Sequence, residues 1–103
     1  MKTISCIGTE AFTLGFQLAG IRNVVNVYDK SEALDKMWGL KEDKNIGIVI
    51  VDEKVMEMLE DDDRNDMEES IQPVFVTVSE TASSENIRKL IIKSIGVDLW
   101  KGD

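Results

Sequence analysis

The chain has 103 residues, 43% of them hydrophobic, with no histidine, one cysteine and a net charge of −8. One compact domain fits that length, and the missing histidine removes the commonest general base, the Ser-His nucleophile pair and the usual zinc ligand. The negative charge argues against phosphate-backbone binding, so no nucleic-acid partner is expected; no apolar run reaches the ~20 residues of a membrane span, and no secretory leader is read at the start, so the expectation is a cytosolic chain.

Residues 3–8, TISCIG, are β-branched and closed by glycine, which predicts a first strand. Cys6 lies within it, where a buried structural thiol is expected and no internal disulfide can form. Residues 10–19 carry helical spacing. On a wheel, Glu10, Thr13 and Gln17 share one narrow stripe. Ala11, Phe12, Leu14, Gly15, Phe16, Leu18 and Ala19 fill the remaining arc of roughly 200°. A small sheet uses about half of that. Phe12 and Phe16, one turn apart, are assigned to the surplus, and Gly15 to the sheet side, where a missing side chain allows close approach. Gly20 reads as the residue that ends the helix.

Residues 23–28, NVVNVY, predict a second strand. Ser31 can cap a helix over 32–42 that turns Leu34, Met37 and Trp38 inward. Residues 46–52, IGIVIVD, form the most continuous apolar run, as a strand covered on both faces requires. A short helix over 53–60 follows, with Val55, Met58 and Leu59 inward. Residues 60–69, EDDDRNDMEE, are acidic apart from Arg64, Asn65 and Met67, and are expected to be a solvated, mobile segment with at most one helical turn near Met67. They lack the alternating acids, glycine and distal glutamate of a calcium loop, so no metal is assigned. Pro73 opens a fourth strand, PVFVTV, where proline is tolerated. Ser83 or Ser84 can cap a last helix reaching about Ile95, with Gly96 as its C-terminal cap. Ile87, Leu90, Ile91 and Ile95 share one face of it, while Arg88, Lys89 and Lys93 favour its C-terminal dipole. Val97, Leu99 and Trp100 keep the tail apolar; it either folds back or contacts another subunit.

The order βαβαβαβα implies an α/β fold with a short four-stranded parallel sheet. The polar second strand suits an edge and the apolar third an interior place, which gives order 2-1-3-4, a flavodoxin- or receiver-like plan. Residues 1–80 form the expected core, and 81–103 the C-terminal helix and tail.

A phosphate loop is not supported at GTEAFTLGFQLAG (8–20). The glycines are too widely spaced for G-x-G-x-x-G, and Glu10 occupies the field of the helix N-terminus. A receiver reading places a phosphoacceptor at Asp52 and hydroxyls at Thr77 and Ser79. The acidic pair after the first strand and a lysine after a fifth strand are missing, which leaves magnesium short of oxygen ligands. Asp52 is better read as the cap of the helix starting at Glu53. No catalytic, cofactor-binding or metal residue is assigned.

Gly15 to Ile21, GFQLAGI, set at this interval after Gly8, resembles the N-terminal signature of the F subunit of archaeal A-type and V-type ATPases. Ile95 to Lys101, IGVDLWK, resembles that family's C-terminus, and length and strand plan agree over the whole chain. The resemblance implies a non-catalytic subunit of the central rotor stalk. It implies binding to the coiled-coil D subunit and coupling of ATP turnover in the head of A and B subunits to ion movement through the membrane rotor. It also implies contact with the subunit that connects the stalk to the rotor. The C-terminal helix would reach the head and modulate it. The location implied is the cytoplasmic face of the membrane, without insertion. Interface candidates are Phe12, Phe16, Arg88, Leu90, Ile91, Ile95 and Trp100. The competing expectation is a stand-alone receiver-like module phosphorylated at Asp52.

Overall fold

The computed structural model describes residues 2–79. The expected helix over 83–95 and the tail beyond it lie outside them, as does the proposed division at residue 80. Within 2–79 the elements run β1 (Thr3–Gly8), α1 (Glu10–Leu18), β2 (Asn23–Asn26), α2 (Lys30–Glu42), β3 (Ile46–Asp52), α3 (Glu53–Met58), α4 (Asp61–Glu68) and β4 (Val74–Val78). All three strand pairings are parallel and the sheet order is β2-β1-β3-β4, as the polarity of the strands predicts.

Alternation along the strands divides the core in two. Cys6, Ile48, Ile50 and Val78 point to the face that carries α1, joined by Phe12, Phe16 and Ile21. Ile7, Val49 and Val51 point to the other face, against Ala33 and Met37 of α2, Val55 and Met56 of α3, Leu59 at the end of α3, and Met67 of α4. A strand buried on both sides has no polar face to show, which is why IGIVIVD reads as an unbroken apolar run.

Several boundaries differ from expectation for local reasons. β2 stops at Asn26; Val27 turns into the core while Tyr28 is exposed. α2 begins at Lys30 because Asp29, not Ser31, is its cap, accepting a hydrogen bond from Glu32 N at 2.8 Å. Met56, not Met58, joins Val55 in the deep core.

The largest correction concerns the acidic segment, which stays largely exposed but forms a regular helix of two turns where at most one turn near Met67 is expected. Three aspartates in its first turn favour the positive end of the helix dipole. Met67 is fully buried and anchors it to the core. Arg64 ties it to the preceding helix, donating from Nη2 to Leu59 O at 2.9 Å and from Nε to Met56 O at 3.2 Å. The last carbonyls of a helix run short of donors from within it, and the guanidinium supplies them at the end of α3. Lys30 at the start of α2 pairs with Glu60, whose carboxyl is held below its ordinary range by that hydrogen bond and charge.

Helix α1 ends as GFQLAG predicts. Gly20 has φ +109, Gly20 N donates to Gln17 O at 3.0 Å and Ile21 N to Phe16 O at 3.0 Å. These are the two bonds of a Schellman cap, and Ile21 follows into the same cluster as Phe16.

Candidate functional site

In open parallel sheets, ligands bind beyond the carboxyl ends of the strands where the order reverses, here between β1 and β3. That place holds Gly8 and Thr9 from the β1–α1 turn and Asp52 and Glu53 from the β3–α3 turn. It is filled from within. A Cβ on Gly8 would lie 2.6 Å from the Phe12 ring and 2.8 Å from Asp52 Cβ, so glycine is required by close approach.

Asp52 is completely buried. Its Oδ1 accepts from Lys54 N at 3.1 Å, the expected helix cap. Its Oδ2 accepts from Thr9 N at 3.4 Å and Thr9 Oγ1 at 3.3 Å. Both oxygens are therefore occupied, and the carboxylate links two βα turns. Thr9 precedes α1 yet makes no side-chain cap to it, because its hydroxyl is turned to Asp52. Among the described residues no group of three metal-ligating side chains is placed to hold an ion. Cys6, fully buried nearby, has its thiol pushed up to about 12 by burial, with a further contribution from the Asp52 charge. Thiolate chemistry is thereby suppressed.

The face of α1 is the second candidate, and here the wheel reading needs correction. Phe12 and Phe16 are 9% and 7% exposed and pack on the sheet, ring centroids 4.9 Å apart. They are core residues, not the surplus. Thr13, grouped with the polar stripe, is buried as well. Its hydroxyl lies between Glu10 O at 3.2 Å and the side-chain amide of Asn26 on β2. The sheet-facing sector is thus Phe12, Thr13 and Phe16. The outward sector is Ala11, Leu14, Gly15 and Leu18, all exposed, with Leu14 at 52% and Leu18 at 81%. Gly15 does not face the sheet; a Cβ there meets nothing within 4 Å. A wheel fixes angles between residues but not which sector turns inward. The missed signal was Asn26, a polar strand residue able to satisfy a buried threonine. The remaining predicted contacts, Arg88, Leu90, Ile91, Ile95 and Trp100, lie outside the described residues.

A family profile described as ATP synthase (F/14-kDa) subunit matches residues 4–94. The chain belongs to the F-subunit family of A-type and V-type ATP synthases. Relatives named as the F subunit of A-type ATP synthase agree over nearly their whole length. The one from Archaeoglobus fulgidus is 36% identical over 98% of this chain and 100% of its own. The one from Halobacterium salinarum is 38% identical over 99% and 88%, and that from Methanosarcina acetivorans 35% identical over 95% and 98%. The crystal structure of the V-type ATP synthase F subunit from Archaeoglobus fulgidus superposes with a TM-score of 0.67 at 27% identity, covering 75% of this chain and 96% of that one. The α/β plan with order 2-1-3-4 is therefore that of an F subunit. Among the described residues no helix is long and apolar enough to cross a membrane.

Proposed function

We propose that the chain is a non-catalytic stalk subunit that binds the D subunit and couples ATP turnover in the A and B head to ion movement through the membrane rotor. In this reading it sits peripherally at the cytoplasmic face of the membrane, joined to the rotor through the connecting subunit. The C-terminal set Arg88, Leu90, Ile91, Ile95 and Trp100 supplies a second contact, toward the head, and modulates its activity. Family membership over the whole chain supports the reading. One geometric fact carries it against the receiver alternative. The carboxylate a receiver would phosphorylate is buried, and both its oxygens hold backbone or side-chain donors of its own chain. An in-line attack by Asp52 on a phosphoryl donor would require both turns to open.

The test is assembly. The full chain mixed with the purified D subunit is expected to co-elute as a stoichiometric complex. A folded chain that stays monomeric in that mixture overturns the proposal. So does stoichiometric labelling by an acyl-phosphate donor with magnesium that disappears in Asp52→Asn. Leu90→Asp with Ile91→Asp is expected to weaken assembly more than it lowers Tm; equal losses would make those residues part of the domain core.

A further inference from the structure

We draw no further inference here: the strongest candidate, the apolar surface on the α1 side of the sheet formed by the exposed Leu14 and Leu18 of α1 and the half-buried Val76 of β4, carries none, because nothing among the described residues shows what covers it and docking of the C-terminal segment or of a stalk partner there restates an established property of the F-subunit family.

Discussion

Asp52 reaches from the end of β3 to Thr9 at the end of β1, accepting from both its backbone N–H and its hydroxyl. The same carboxylate caps α3 through Lys54 N. One buried charge thus fixes how the two central strands hand over to their helices. Removing it takes the acceptor from the half-buried Thr9 donors and from Lys54 N. Asp52→Ala is expected to destabilise the domain by about 1–3 kcal/mol, combining a lost cap with part-buried donors left short of a partner. Asp52→Asn keeps the shape and one acceptor oxygen, so its cost should be about half. Urea unfolding followed by circular dichroism measures both. A loss below about 0.5 kcal/mol for the alanine variant, within the range of ordinary surface changes, would show that the carboxylate is not part of the framework.

Gly8 makes that arrangement possible. An added methyl would press on Asp52 Cβ and the Phe12 ring at separations no Cβ normally shows. Gly8→Ala is expected to cost about 1–3 kcal/mol through overpacking. Phe12→Leu in the same chain should recover part of the loss, because the ring is one of the two groups in the way. Failure of the double variant to recover any stability would place the strain on Asp52 alone.

Gly15 and Gly20 lie in one short motif and should respond with opposite signs. Gly15→Ala gains helix propensity in open space, so the isolated chain is expected to gain up to about 1 kcal/mol. Gly20 sits at φ +109, where a Cβ is strained, and Gly20→Ala is expected to lose about 1–2 kcal/mol. Thermal melts of the two variants decide it; a destabilised Gly15→Ala would mean that position has a contact within the chain.

This contrast also marks what was legible in the sequence. Gly20 declared itself because a helix end needs a residue tolerant of positive φ, a local requirement. The strand order was legible because burial on two faces, or one polar edge, is written directly into strand composition. Asp52 as a cap was legible from its place before Glu53, but its bond to Thr9 was not, since that depends on register between β1 and β3. The orientation of α1 failed for the same reason. Which sector turns inward is decided by the Thr13–Asn26 contact across to β2 and by the Phe12 ring beside Gly8, neither of which a single-helix pattern contains. The acidic helix was hidden because its composition is that of solvated chain, while the anchors that hold it, Met67 in the core and Arg64 on the end of α3, are single residues.

Arg64 is expected to matter more than its surface position suggests. Its guanidinium serves three carbonyls at the end of α3, those of Met56, Glu57 and Leu59, with Asp61 Oδ1 at 3.4 Å from Nη1. Arg64→Lys keeps the charge but cannot span the carbonyls as a planar fork. A loss of about 1–2 kcal/mol is expected, as for hydrogen bonds to a charged group, with faster amide exchange confined to residues 56–64. Uniform exchange across the domain would instead indicate a global effect.

Cys6 gives the domain a stability contribution that is lost only in alkali. Its folded thiol is raised to about 12, first by burial and then by the Asp52 charge, above the ordinary value near 9. The neutral thiol is the form the fold accepts, so its contribution is complete below about pH 9 and is lost as pH rises from there toward 12. Wild-type stability should therefore fall across that window more steeply than that of Cys6→Ala, even though the alanine variant starts lower, by the cost of a small cavity. Urea titrations at intervals between about pH 8 and pH 11 measure the two slopes. Thiol reagents should label Cys6 at about pH 8 only at the rate of unfolding; immediate labelling of the folded chain, or parallel pH slopes for the two proteins, would contradict a sealed thiol.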